Sequence, residues 1–349
     1  MSTAEKVKNF NPAVPRPNNG HFMGLPFSES EAEVVLLSAP WGGDGPMESG
    51  PHTAPVNILE NSHRLSLYDP DQPEAWKRGI YLRLPEGQVV LQGNRLVEKM
   101  AALRLFAQKG SISSKDGYVQ ALLEEIHKEN ILLRNGLRQD ASALLGQKKQ
   151  AGLIGGDTST QLGLLEALAE RYNEFGILHL GETMGLQQRP DIPVYSSDTW
   201  LTAALKLDSI KRLALAGVRS ATPDEEAFTA GREHISVFYH HEIRRRLYRG
   251  HTFSQICSDI IRGLPDKVYL SFDIHALQPQ YRPNAVPSTS GGFDFEEALY
   301  LVKRLVDAEL EVIGFGLCGV AGQGNVPDGQ AGAILAYRLA NLMSASREL

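Results

Sequence analysis

From about residue 150 the chain repeats one pattern, a short apolar run followed by a turn and a segment of helical period. Ala151-Gly-Leu-Ile-Gly-Gly-Asp157, Gly176-Ile-Leu-His-Leu180, Leu213-Ala-Leu-Ala-Gly-Val218, Ser236-Val-Phe-Tyr239 and Leu310-Glu-Val-Ile-Gly-Phe315 read as strands. Helices fit between several of them: one capped by Thr158 or Ser159 and running to about Tyr172, one from Phe293 to Val306, one from Gly329 to Met343. Strands that are apolar at nearly every position are covered on both faces, and strands alternating with helices pair in parallel. The expected architecture is a three-layer α/β/α sandwich around a doubly wound, mostly parallel sheet. Glu33-Val-Val-Leu-Leu-Ser-Ala-Pro40 supplies an earlier strand, and a short helix starts from Val56. Residues 66 to 95 read as loop and edge structure, and two helices follow, roughly Arg95 to Lys109 and Asp116 to Glu129. No linker divides residues 30 to 349, which read as one domain. Residues 1 to 29, with Pro12, Pro15, Pro17 and Gly20, read as an irregular arm of the kind that often lies across a neighbouring subunit.

The stretch Val268-Tyr-Leu-Ser-Phe-Asp-Ile-His-Ala-Leu-Gln-Pro279 is the most suggestive chemically. Alternation puts Asp273 and His275 on one side where the strand leaves the sheet, and in open α/β sheets ligands bind at such ends. Two readings stay open, half of a metal or catalytic corner, or a buried strand whose polar end is capped by its loop.

Composition excludes several classes. A net charge of −6, without a basic stripe, argues against a nucleic-acid surface. Two cysteines, Cys257 and Cys318, are too few for a disulfide framework or a thiolate metal site and read as small buried residues. No apolar run is long enough to span a bilayer and residues 1 to 19 lack a signal-peptide core, so a cytoplasmic location is expected. The loop Trp41-Gly-Gly-Asp-Gly-Pro46 is glycine-rich but has neither Lys-Ser/Thr after it nor G-x-G-x-x-G spacing, which disfavours nucleotide binding.

Gly155-Gly-Asp-Thr158, then Leu178-His-Leu-Gly-Glu-Thr-Met-Gly185, then Ser271-Phe-Asp-Ile-His-Ala-Leu-Gln-Pro279 resemble, in order and spacing, the three signature segments of the ureohydrolases, the family of arginases and agmatinases. Gly217-Val-Arg-Ser220, Pro287-Ser-Thr-Ser-Gly-Gly292 and Gly314-Phe-Gly-Leu-Cys-Gly-Val320 extend the likeness. In that family the segments read Gly-Gly-Asp-His, Asp-Ala-His-x-Asp and Ser-x-Asp-x-Asp-x-x-Asp-Pro. Their ligands hold two divalent cations, manganese or nickel, whose bridging hydroxide attacks a guanidinium carbon. Transferred position by position, the ligand places fall on Thr158, on Gly181, Thr183 and Gly185, and on Asp273 and His275. Only Asp273 is unchanged. The proton-shuttling His falls on Ser197 and the substrate-anchoring Glu on Gly319.

One carboxylate and one imidazole cannot hold a dication pair. The resemblance therefore implies a chain with no catalytic residues and no metal of its own, assembled in a trimer or hexamer with a paralogue that carries the two ions. Phe22-Met-Gly-Leu-Pro26 and the segment Tyr68 to Gly79 look closest to the branch of guanidine and biguanide hydrolases. Some of these, such as metformin hydrolase, pair a nickel-bearing subunit with a degenerate one. Two alternatives remain. A rebuilt mononuclear site could use His179, Asp273 and His275 in an independent amidinohydrolase, and a binding protein could hold a guanidino compound in the emptied cleft. Strand alternation is expected to turn Glu182 away from the site, while Gly155, Gly156 and Asp157 read as structural and His240 and His241 as surface or interface residues.

Overall fold

A computed structural model of the chain describes residues 2–14, 18–42, 49–108, 116–188, 195–286, 289–324 and 326–347. Eight strands form one sheet: β1 Val34–Ala39, β2 Ile80–Leu82, β3 Gln150–Gly155, β4 Phe175–Leu180, β5 Ile210–Val218, β6 Ile235–Tyr239, β7 Lys267–Asp273 and β8 Glu311–Cys318. Their order is β2-β1-β3-β8-β7-β4-β5-β6, and every ladder between them is parallel. β4, β5 and β6 run out to one edge and the last two strands, β7 and β8, return to fill the middle between β3 and β4, so the carboxyl ends of β3, β8, β7 and β4 lie side by side. That is where an open α/β sheet takes its ligands.

Eleven helices are found among the described residues: α1 Thr3–Asn9, α2 Ala54–Ser62, α3 Gly87–Gln108, α4 Gly117–Gly146, α5 Leu162–Arg171, α6 Trp200–Ala204, α7 Pro223–Thr229, α8 His240–Tyr248, α9 Phe253–Ile261, α10 Phe295–Asp307 and α11 Pro327–Ser346. The period of two sorts each strand between the two faces. Leu36, Leu178, Leu270 and Phe315 pack with Ile58, Ile256, Leu299 and Leu335 of α2, α9, α10 and α11. Val35, Leu153, Ile177, Leu215 and Tyr269 meet Leu144, Leu165 and Trp200 of α4, α5 and α6 on the other side. A smaller cluster joins α3 and α4 through Leu96, Leu103, Val119, Leu122 and Ile126, with Trp41 against them. Each such side chain removed from water contributes about 1.5–3 kcal/mol. No described helix is long and apolar enough to cross a membrane.

Several boundaries differ from the sequence expectation. α3 begins at Gly87, inside the stretch read as loop, and α4 runs through Gly146, well past Glu129. α2 starts at Ala54 because Pro55 sits in its first turn, where a missing N–H costs nothing. Residues 2–14 are not irregular throughout. Ser2 and Glu5 form a capping box for α1, Lys6 pairs with Glu31 at 2.7 Å, and Phe10 meets the Trp76 ring at 5.0 Å. Phe22, Met23, Leu25 and Phe27 lie inside the core, so this part of the arm packs on its own chain.

Candidate functional site

A cleft of about 270 Å³ opens at the carboxyl ends of β3, β4, β7 and β8, lined by Gly156, Asp157, Thr158, Glu182, Thr183, Ser197, Asp198, Asp273, His275 and Gly319, among others. Six of the eight positions to which the resemblance assigns ligand or catalytic places, Thr158, Thr183, Asp273, His275, Ser197 and Gly319, line this one cavity. Gly181 and Gly185 lie beside it, in the turn after β4. Residues 43–48, 193–194 and 287–288, parts of three segments singled out in the sequence, lie outside the described residues.

Local chemistry explains each turn. β3 stops at Gly155, and Asp157 caps the next turn by accepting from the Ser159 amide at 2.8 Å, so the cap is Asp157 rather than Thr158 or Ser159. Thr158 is buried, 4 % exposed. β7 stops at Asp273, whose Oδ1 accepts from the His275 amide at 2.9 Å and lies 2.8 Å from His275 Nδ1. The corner is thus a capped strand end in which Asp273 and His275 Nδ1 pair with each other, while the buried His275 Nε2 has no hydrogen-bond partner among the described residues. Burial would raise the Asp273 carboxyl, but the His275 ring and its hydrogen bonds outweigh that and hold it below the usual range. Burial disfavours an imidazolium at His275, and the Asp273 carboxylate wins there too, leaving that ring raised.

Neighbouring side chains crowd Gly181, Gly185 and Gly319. His179 is 1 % exposed, its Nδ1 is 2.8 Å from Ser271 Oγ, and its ring stands edge-on to Trp200 at 5.5 Å. A Cβ at residue 181 would lie 2.8 Å from His179 Cε1 and closer still to Nε2. One at residue 185 would lie 2.7 Å from Trp200 Nε1, and one at 319 would lie 2.8 Å from Asp273 Oδ1. A side chain at any of these places would have to displace the neighbour that now occupies it. Among the described residues no three His, Cys, Asp or Glu side chains are placed to hold a metal ion, the set His179, Asp273 and His275 included. One carboxylate and one imidazole, with glycine or threonine at the other ligand places, do not fit a pair of divalent cations, and His179 is held in the core by Ser271.

Burial pushes the His179 pKa down from 6.5 to about 4, against the opposing pull of Asp273 and the Thr183 backbone. A depressed folded value means that the unfolded chain takes up the proton first, so this contribution is complete above pH 6.5 and is lost as pH falls towards 4. The effect amounts to roughly 3 kcal/mol at most. His275, being raised, acts in the opposite sense and keeps its contribution in acid. Urea midpoints at pH 7 and pH 5 are expected to differ more for the wild type than for His179→Asn; equal differences would show that His179 is not buried neutral.

Glu182 corrects the sequence expectation. β4 ends at Leu180, so strand alternation no longer governs residue 182, and its side chain lines the cleft. Its carboxylate is 6 % exposed, lies 3.1 Å from Arg219 Nη2 and 3.7 Å from Arg282 Nη2, and accepts from Thr289 Oγ1 at 2.6 Å. Arg282, wholly buried, was not singled out by the sequence, because nothing local marks a partner a hundred residues away. His240 and His241 open α8; His240 is half-buried with its ring edge-on to Phe293 at 6.2 Å, and His241 is exposed, as expected of a surface residue. Cys257 and Cys318 are buried free thiols, Cys257 pushed up to about 12 by burial, as inert residues should be.

Solved structures share the fold. An agmatine ureohydrolase of Thermoplasma volcanium superposes with a TM-score of 0.67 at 14 % identity, covering 99 % of both chains. A proclavaminate amidino hydrolase from Streptomyces clavuligerus gives 0.66 at 18 %, covering 97 % of this chain and all of that one. In sequence, an N(1)-aminopropylagmatine ureohydrolase of Thermus thermophilus is 25 % identical over 229 residues, 64 % of this chain and 71 % of the relative. An agmatinase of Bacillus anthracis is 22 % identical over 296 residues, 84 % and 85 % of the two chains. The model of the Arginase family matches residues 32–344, and with the sheet, the cleft and the ordered motifs in place the chain belongs to that family of ureohydrolases.

Proposed function

We propose that this chain is a non-catalytic subunit of a hetero-oligomeric ureohydrolase, holding no metal pair itself and supporting a paralogue that carries the two divalent ions, nickel or manganese. One observation carries the reading. At the turn where the family's motif supplies three ligands, His179 and Trp200 fill the space that ligand side chains at Gly181 and Gly185 would need. Repacking of this kind leaves a folded scaffold and removes the chemistry, which suits a partner subunit better than an enzyme between substrates. The partner's substrate is a guanidino or biguanide compound, as in metformin hydrolase, on the likeness of the segments at 22–26 and 68–79. Both are anchored parts of the body: Phe22 and Met23 are core, and Asp69 is wholly buried against Arg338 at 3.2 Å.

Co-expression with a ligand-complete paralogue, preferably one encoded beside this gene, tests the assignment. One hetero-oligomer is expected, active as a complex, with this chain inactive alone. A paralogue that assembles and turns over fully without this chain contradicts it. The cleft remains open, and that favours a second reading as a guanidino-compound binding protein. Agmatine or guanidine raising the melting temperature of a chain that pairs with no paralogue would select it.

A further inference from the structure

We propose that a buried ion cluster, Glu182 with Arg219 and Arg282, takes the structural place of the metal pair and ties the loops of the cleft together without a bound cation. The inference rests on the reading that this chain holds no metal pair, and is independent of the partner's identity.

Divalent ions in such a cleft join the ends of several strands by attracting side chains from each. Here the joints are covalently fixed charges. Glu182 follows β4, Arg219 follows β5, Arg282 follows β7 and Thr289 precedes α10. The Glu182 carboxylate lies 3.1 Å from Arg219 Nη2 and 3.7 Å from Arg282 Nη2 and accepts the Thr289 hydroxyl at 2.6 Å. Its backbone carbonyl accepts the amides of Arg219 and Ser220 at 2.8 and 3.0 Å. Arg219 Nη2 also donates to the His275 carbonyl at 2.7 Å, which fixes the turn that Asp273 caps. Arg282 donates through Nε to the Leu277 carbonyl at 3.0 Å, on the far side of that turn.

Position carries the argument further. Glu182 occupies the family motif's Ala place, between Gly181 and Thr183, so the same five residues that lack three ligands have gained a carboxylate. Arg219, 9 % exposed, lies in a segment that resembles the family, so the added cation is the guanidinium of Arg282, 0 % exposed and fixed to the chain. A carboxylate and cations buried together are costly to separate, because removing one partner leaves the others uncompensated.

The test uses the full-length chain, stripped of metal with a chelator. Wild type is expected to melt at the same temperature before and after stripping. Glu182→Ala should lower the melting temperature by roughly 5–10 °C, and Glu182→Gln, which keeps the shape and a hydrogen bond to Thr289, by less. Glu182→Ala with Arg282→Met should recover roughly half of the loss, since it removes a carboxylate and its cation together. Amide exchange should rise at residues 217–220 and 274–277 in Glu182→Ala and stay unchanged in β1 and β2. If Glu182→Ala melts within a degree or so of wild type, or the double variant loses the sum of its parts, the cluster is not a clamp. Should Glu182→Ala fail to fold, the Gln variant and Arg282→Met carry the same comparison. A wild type that loses stability on chelation and regains it with metal overturns this inference together with the metal-free reading, whereas a tolerated Glu182→Ala in a metal-free chain overturns this inference alone.

Discussion

Gly181→Asp, which restores the first carboxylate of the family's second motif, is expected to destabilise the chain severely and to bring no metal with it. The new Cβ would fall 2.8 Å from His179 Cε1 and closer still to Nε2, so the imidazole would have to move. Overpacking of this kind costs about 1–3 kcal/mol, and a carboxylate buried without a cation adds a few more. The imidazole cannot easily swing aside, because Ser271 holds Nδ1 at 2.8 Å and Trp200 stands against its ring. A loss of about 4 kcal/mol or more is therefore expected in urea unfolding. His179→Ala in the same chain should return well over 1 kcal/mol of it, since the two positions share one volume. A Gly181→Asp chain as stable as wild type would show that the imidazole is not a plug.

Gly156→Ala is the second substitution expected to have a large effect, and here the obstacle is backbone. Its Cβ would lie 2.5 Å from the Trp41 carbonyl carbon and closer still to the oxygen. Neither segment can retreat: the Gly156 amide donates to the Ala39 carbonyl at 3.0 Å, the Asp157 amide to the Trp41 carbonyl at 2.9 Å, and the Gly319 amide to the Gly156 carbonyl at 2.7 Å. The Gly-Gly-Asp turn is thus needed for the close approach of three chain segments, whatever the cleft does. A loss of about 3–5 kcal/mol is expected. Gly136→Ala is the control, since a Cβ there meets nothing within 4 Å in the middle of α4, and it should stabilise by about 0.5–1 kcal/mol. Equal effects of the two would refute the packing account.

Much of this was legible in the sequence, for definite reasons. Apolar runs bounded by glycine located the strands of the carboxyl-terminal half, and the order of motifs placed Thr158, Thr183, Asp273, His275, Ser197 and Gly319 around one cleft. What escaped was set by long-range contact. From the sequence α4 is expected only to Glu129, yet its later face packs on α5 and the helix continues to Gly146. Glu182 was assigned a strand's alternation after β4 had already ended. Arg282 has no periodic signal at all, and its burial depends on a carboxylate brought in from β4.

The functional reading stands on a chain that folds without the family's metal pair. Elemental analysis after incubation with Mn²⁺ or Ni²⁺ and desalting tests that most directly, on the chain alone and with His275→Asp. The account predicts far less than stoichiometric metal in both, because one restored ligand still leaves no side-chain ligand at Gly181 and Gly185 and only neutral hydroxyls at Thr158 and Thr183. Stoichiometric manganese or nickel on the wild-type chain, retained through desalting, would contradict it.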